Sequence, residues 1–325
     1  MTRRRLAALA VVALAVVALA LWLSSRSGAP DQGRAGARVL PELEAMLDDV
    51  TSIRLAAKGD SATLERAGDA WVVEERDYPA DTAKLRKLAL GLARLAVIEE
   101  KTRNPASYAQ LGVEDPGPAA TGTLVDVVTP AKTYSLIVGK SAGSVGSFVR
   151  APGSAQSLLA GPALPVAADP KQWIDTALAD ILADRVESLA VTPQAGPAWR
   201  AKRDAATASL TLYDLPRGKT QRSPDGVTPA AAMLVGLHIE DVHAAPTAAP
   251  DQGAPHVALA TFDGLEIELW GRADGDHRYI RGAARSTGAA TTKEAAALAQ
   301  RFEGREFEVP KYKYDALFRP LSDFT

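Results

Sequence analysis

The stretch from residue 50 to residue 100 constrains the fold more than any other part of the chain. Ile53 and Leu55 alternate with Ser52 and Arg54, and alternation with a period of two is typical of a strand with one buried face. Two Gly-Asp turns then lead into a run that contains Trp71, which we predict to lie in the core. After a proline, leucines recur at helical spacing. The stretch predicts three short strands followed by one amphipathic helix.

A weaker copy of this pattern begins at Val186. Three segments of the first half have counterparts in the same order in the second half: residues 50–55 match 186–191, residues 136–140 match 268–272 in their last positions, and residues 148–150 match 279–281. We therefore predict an α+β fold of two tandem repeats, each a three-stranded meander, a helix and a β-hairpin, preceded by one N-terminal transmembrane helix. The predicted segments are a membrane anchor (1–23), a flexible linker (24–38), the first repeat (39–168), and a linking helix, second repeat and C-terminal helix with tail (169–325).

The helices of this scheme have recognisable first residues. Asp169-Pro170 starts the predicted linking helix, and Thr228-Pro229 starts a shorter counterpart of the first helix. Thr291 with Glu294 forms a predicted capping box for the final helix. Asn104–Gly112 predicts a short capped helix. That short helix has no counterpart in the second half, so we expect a specific partner contact there if one half carries it.

The N-terminus predicts where the protein is located. Arg3, Arg4 and Arg5 precede the apolar run Leu6–Leu23, which would span about 27 Å as a helix, the thickness of a hydrocarbon core. We predict a single-pass anchor in the inner (cytoplasmic) membrane, with the N-terminus inside and the bulk of the chain periplasmic or otherwise extracytoplasmic. A cleaved signal peptide is the alternative, with the small residues 35–37 as its cleavage site.

Composition excludes several classes of function. The formal net charge is −2 with both signs mixed along the chain, whereas nucleic-acid binding needs a clustered basic surface. The chain contains no cysteine, which excludes disulfides, thiolate nucleophiles, iron–sulfur clusters and an acylated-cysteine anchor.

Three motifs could carry chemistry. Ser141 lies in a G-x-S-x-G pattern after a predicted strand, but a nucleophile elbow must also open a helix, and the following residues predict a hairpin. The four histidines show no metal-ligand spacing. The carboxylate pair Glu240-Asp241 is predicted to face solvent. We assign no catalytic, cofactor-binding or metal-binding residue and expect no cofactor.

Several motifs together resemble a known family. Trp71–Val73, Tyr78–Asp81 and the pattern Thr102-x-Asn104-Pro105-x-x-Tyr108-x-x-Leu111-Gly112 resemble the bacterial domain of unknown function 4340. Gly139 with Phe148–Arg150 and the Trp173-Ile174 pair also fit, and the resemblance covers roughly residues 40–320. It implies a membrane-anchored protein associated with ABC-type transport components of the gliding-motility kind, without established catalytic residues.

These observations lead to one hypothesis and two alternatives. The hypothesis is a non-enzymatic, membrane-tethered extracytoplasmic accessory or scaffold subunit, held by Leu6–Leu23 and associated with an ABC-type transport or cell-envelope complex, with no nucleic-acid partner. One alternative is an envelope serine hydrolase that uses Ser141. The other is a periplasmic module that binds a small ligand or a glycan.

Overall fold

The structure is a computed structural model that describes residues 34–248 and 253–325. The predicted membrane-spanning run Leu6–Leu23 lies outside these residues. Within them, no helix has both the length and the apolar character needed to cross a bilayer. The chain divides into two compact units. Unit 1 comprises the residues up to Ser61 together with Arg86–Ala168, and unit 2 comprises Ala62–Leu85 together with Asp169–Thr325.

Nine strands and two helices lie within the described residues 34–168. The strands are β1 (Ser52–Ala57), β2 (Asp60–Ala67), β3 (Ala70–Val73), β4 (Tyr78–Pro79), β5 (Ala96–Glu100), β6 (Thr123–Val128), β7 (Thr133–Ser141), β8 (Ser147–Arg150) and β9 (Ser157–Gly161). The helices are α1 (Thr82–Ala93) and α2 (Tyr108–Leu111), and 3-10 turns occur at Leu43–Asp49, Glu74–Arg76 and Pro105–Ser107.

Ten strands and two helices follow in the described part of the rest of the chain. The strands are β10 (Ala177–Ala179), β11 (Val186–Thr192), β12 (Trp199–Lys202), β13 (Thr211–Tyr213), β14 (Leu237–His238), β15 (Asp241–Ala244), β16 (His256–Thr261), β17 (Leu265–Asp274), β18 (His277–Ser286) and β19 (Arg305–Glu308). The helices are α3 (Thr292–Phe302) and α4 (Lys311–Leu317).

Both units contain an antiparallel sheet with the same strand order. In unit 1 the order is β1-β6-β7-β8-β9-β5, and in unit 2 it is β11-β16-β17-β18-β19-β15, with β12 and β13 beyond β11. Unit 2 also contains the antiparallel meander β2-β3-β4 and the pair β10-β14. The three matched sequence segments fall on β1 and β11, β7 and β17, and β8 and β18, which hold the same places in the two sheets.

The predicted fold class is wrong. The protein is built mostly of antiparallel sheet with few helices, rather than as α+β repeats of meander, helix and hairpin. The predicted linking helix is a three-residue 3-10 turn, Pro170–Gln172, followed by β10. The predicted second-half helix is a five-residue 3-10 turn, Thr228–Ala232. Gly236 adopts a φ of 54°, so an α-helix that starts at Pro229 could have only about two turns there.

At some helix ends, local signals account for the boundary. The Asp81 carboxylate accepts hydrogen bonds from the N–H groups of Ala83 and Lys84, both at 3.0 Å, and so caps α1. Asn104 caps the short helix through the N–H of Ala106, and Gly112 ends it at φ 72°, as predicted. The predicted capping box at Thr291 is not made.

Two further predictions need correction. Glu294, the expected partner of Thr291, instead pairs with Arg185 through two hydrogen bonds of 2.7 and 2.9 Å. A bidentate pair with arginine is stronger than a capping bond to a backbone N–H. Trp71 is only partly buried, whereas Val73, on the same face of β3, is fully buried.

Candidate functional site

One face of the unit 2 sheet carries a concentrated set of polar side chains. It arises from strand alternation, since successive residues of a strand point to opposite faces. On β17, Ile267, Leu269 and Gly271 are buried, while the residues between them are partly exposed. The polar face comprises Asp241, His243, Arg272, His277, Tyr279, Arg281, Glu306 and Glu308, on strands β15, β17, β18 and β19.

Cross-strand register aligns these side chains in rows. Arg272 lies opposite Tyr279, Tyr279 opposite Glu308, and Glu308 opposite Asp241. A second row contains Arg281, Glu306 and His243. Each lies two residues from a member of the first row on its own strand, and on the same face. The register of the sheet thus sets the spacing of these charged side chains.

The opposite side of these strands is apolar. Val242, Ile280 and Phe307 are at most 1% exposed. Gly271 lies beneath Tyr314 and Phe318, which we call the aromatic tail, and a Cβ atom there would approach Phe318 Cε2 to 2.6 Å and the Tyr314 hydroxyl to 2.7 Å. This packing makes the strands a rigid base for the polar face.

The close approach at Gly271 yields the first prediction. Gly271→Ala forces the aromatic tail away from the sheet, and overpacking of this kind costs about 1–3 kcal/mol. We expect the loss in urea unfolding of the purified protein, followed by tryptophan fluorescence. Gly275→Ala, in an open hairpin turn at φ 56°, is the matched control for backbone strain without a clash. Equal losses from both variants would contradict this account of Gly271.

Glu306 is the centre of the polar face. Its side chain is 3% exposed and its two carboxylate oxygens accept from Arg272 at 2.6 and 3.1 Å, while Arg281 approaches to 3.3 Å. Burial acts to raise the pKa of Glu306, but the two guanidinium groups outweigh it and hold the pKa below its usual range. Glu306 is thus a fixed negative charge and no proton donor at neutral pH.

Asp241 forms the second buried pair. Its two carboxylate oxygens accept from Arg76 Nε at 2.6 Å and Arg76 Nη2 at 3.0 Å. One of those oxygens also accepts from the N–H of Val242 at 2.8 Å. Burial opposes ionisation, yet these hydrogen bonds hold the pKa of Asp241 below its ordinary value. The prediction that Asp241 faces solvent is therefore wrong, because its partner Arg76 is 165 positions away and cannot be identified from the neighbouring sequence.

The histidines of the polar face gather around Glu308. His277 Nδ1 lies 2.6 Å from one carboxylate oxygen of Glu308, and His243 Nε2 lies 3.8 Å from the other. The Tyr279 ring lies near both imidazoles, with ring centroids at 5.7 and 6.2 Å, and the Arg272 guanidinium covers it at 4.2 Å. This part of the face contains the exposed groups that a partner could contact.

The contact between His277 and Glu308 predicts a titration. The hydrogen bond to Glu308 raises the pKa of His277 above its ordinary value of 6.5. The pairing therefore contributes fully to stability below pH 6.5 and is lost as the pH rises through the folded-state pKa. We expect histidine NMR of the purified protein to show this raised pKa, and Glu308→Gln to return it toward 6.5. An unchanged titration in that variant would contradict the pairing.

A cleft of about 340 Å³ adjoins the polar face. It lies where the turn Glu74–Asp77 packs beside edge strand β15, and its lining includes His243 and Arg305. Arg305 donates to the Asp77 carbonyl oxygen at 2.8 Å, which fixes the turn against the strand. Covering an edge strand in this way blocks uncontrolled strand pairing. The fixed turn gives the cleft a defined shape, and the residues that line it are mostly charged.

The sequence-level candidates lie elsewhere. Ser141 ends β7, its hydroxyl donates to the Gly143 carbonyl oxygen at 2.9 Å, and a hairpin follows rather than a helix. The structure brings His243 and His277 together, whereas His256 stacks on Trp270 and His238 contacts the Gly236 carbonyl. Among the described residues, no group of three or more histidine and carboxylate side chains has the geometry of a metal site.

Unit 1 contains a smaller cavity and a buried arginine. The cavity has about 280 Å³ and is lined by the turn Ala56–Gly59 and the loop around Pro116–Pro118, a size just below that of ordinary ligand pockets. Arg150, 1% exposed, donates to the carbonyl oxygens of Val113 and Ser154 and to Asp115. The neighbouring sequence does not predict that Arg150 is buried, because its partners are up to 37 positions away.

The fold and the site together define a class of protein. It is an antiparallel two-unit β protein whose most concentrated polar site is an internally paired sheet face. Within the sequence, residues 71–253 match the family model described as Domain of unknown function (DUF4340), which is more than half of the chain. The protein belongs to this family, as the motifs starting at Trp71 indicated. No curated protein and no solved structure matches the chain significantly.

Proposed function

We propose that the protein is a non-enzymatic accessory or scaffold subunit tethered to the inner membrane, with its body on the extracytoplasmic side. The tether is the apolar run Leu6–Leu23, preceded by three arginines. The resemblance to membrane-anchored family members supports an association with an ABC-type transport complex or another cell-envelope complex. The polar face is the surface that we assign to the partner.

The observation that carries the proposal is the internal pairing of the buried charges. Asp241 is held by Arg76, and Glu306 by Arg272 and Arg281. Carboxylates held in this way are poor general acids and bases, because their pKa values lie far from neutral pH. The same pairing fixes a charged pattern with exposed members, and fixed charge patterns give protein interfaces their specificity.

Affinity purification from membranes solubilised in a mild detergent tests the proposal. The full chain carries a C-terminal tag, and we expect subunits of an ABC-type transporter or an envelope complex to be recovered with it. The double variant His243→Ala with His277→Ala removes exposed groups of the polar face but leaves its buried pairs, so it reduces this recovery. Arg200→Ala, at an exposed position of β12, is the matched control. Recovery of the chain alone would overturn the proposal.

A further inference from the structure

The described chain begins along the outer edge of the unit 1 sheet. Gly36 donates to the Val97 carbonyl oxygen at 2.7 Å, Val97 donates to the Ala37 carbonyl oxygen at 2.9 Å, and Val39 donates to that of Leu95 at 2.9 Å. These bonds join residues 36–39 to β5, which is the edge strand of its sheet. The chain that leads from the predicted anchor therefore enters the fold beside β5.

Directly beyond this pairing, two large apolar side chains are exposed. Ile98 is 41% exposed and Val145 is 60% exposed. The register of β5 on β9 shifts between Val97 and Glu99, and such a bulge redirects the side chain of the extra residue. Val145 lies in the turn between β7 and β8. A Cβ atom at Gly161 would lie 2.8 Å from the Val145 carbonyl oxygen and 3.1 Å from Ile98 Cδ1, so the two residues are neighbours.

The charges around Ile98 suit an anionic surface. Arg38 and Arg94 share the single carboxylate Glu44, at 3.5 and 3.7 Å, which leaves an excess of positive charge where the chain enters. Next to Ile98, Glu99 is paired with Lys101 at 2.7 Å and Glu100 with Arg103 at 3.8 Å, so these two carboxylates are each balanced by one cation. Apolar side chains beside basic residues are the composition of surfaces that bind the interface of anionic bilayers.

We propose that Ile98 and Val145 insert into the interfacial region of the lipid bilayer and hold unit 1 against the membrane. This inference rests on the proposed membrane tether and adds an orientation to it. Residues 24–35 are twelve residues and can span at most about 40 Å, which keeps the entrance at Gly36 within reach of the bilayer. The occupant of the patch is lipid, because the chain itself leads from the predicted anchor to this edge.

The absence of cysteine makes a direct test available. Single cysteines replace Ile98, Val145 or Ala131 in the full chain, and each is labelled with an environment-sensitive fluorophore. Ala131 is exposed and lies in the turn at the other end of β7, about 27 Å away along nine residues of strand. The variants are reconstituted in vesicles of phosphatidylethanolamine and phosphatidylglycerol that contain a lipid with a nitroxide headgroup.

We expect the nitroxide to quench the labels at positions 98 and 145 at least about twofold more than the label at 131, as for side chains in the headgroup region. Quenching at 98 and 145 no greater than at 131, in chains that float with the vesicles, would overturn this inference and leave the tether intact. Chains that do not float with the vesicles would overturn the tether and this inference together. A double variant, Ile98→Ser with Val145→Ser, carries the label at position 131 and reports any general change of orientation. We expect the nitroxide to quench this label more strongly than in the chain with Ile98 and Val145, because unit 1 is held less firmly.

Discussion

Arg150→Met is expected to destabilise unit 1 by about 2–4 kcal/mol. The guanidinium donates to the buried carbonyl oxygen of Val113 at 2.7 Å and to the partly buried one of Ser154 at 2.8 Å, and it pairs with Asp115 at 2.6 Å. It also lies 4.5 Å from the centre of the Tyr108 ring. Removal of the donor leaves buried acceptors without partners, which costs about 1–3 kcal/mol for each group. The cost is large because one side chain joins β8 to the short helix α2 and to two loops.

Hydrogen exchange followed by mass spectrometry measures this effect in the purified protein. Peptides from β8 and from residues 104–115 should lose protection in Arg150→Met. Arg54→Met, on the exposed face of β1, is the matched control and should change stability by less than about 0.5 kcal/mol. Arg150→Lys keeps the charge but not the planar donor group, and we expect it to resemble Arg150→Met. Full protection in Arg150→Lys would show that charge alone suffices.

A double-mutant cycle on Arg76 and Asp241 is expected to give a coupling energy of about 2–3 kcal/mol. The pair is bidentate, at 2.6 and 3.0 Å, and the Asp241 side chain is only 9% exposed. Either single substitution, Arg76→Met or Asp241→Asn, leaves the other group poorly solvated and without its partner. Urea unfolding of the two single variants and the double variant measures the coupling.

Unit 2 supplies the matched control for this cycle. Arg200 and Asp214 lie 3.7 Å apart with side chains 60% and 69% exposed, and an exposed pair of this kind contributes about 0–1 kcal/mol. The same substitutions there should give a coupling close to zero. Similar coupling energies for the two pairs would mean that burial does not strengthen the contact between Arg76 and Asp241.

Local sequence patterns predicted the parts of the fold that depend on near neighbours. The Asn104–Gly112 helix and the hairpin after Ser141 both form where their cap and turn residues lie. The matched segments identified strands that hold equivalent places in the two sheets. The helix content was overestimated, because apolar residues in short segments fit a strand or a 3-10 turn equally well.

The candidate site was beyond sequence reasoning for a different reason. Asp241 and Arg76 are 165 positions apart, and Glu306 lies 34 positions from Arg272. A charged residue in an alternating strand looks solvent-exposed until the opposite strand is known. The polar face is therefore a product of register, and Arg150 is likewise explained only by the loop that returns to it.

Photo-crosslinking in the cells that make the protein tests the central claim most directly. A photoreactive amino acid at position 277, whose side chain is 62% exposed on the polar face, should give one crosslinked product that contains a transporter or envelope subunit. The same amino acid at position 200, on exposed β12, should not give that product. A crosslink from 277 that depends on residues 1–23 would agree with a membrane-tethered subunit. No crosslink from 277, or the same products from 277 and 200, would contradict the claim that the polar face contacts a partner.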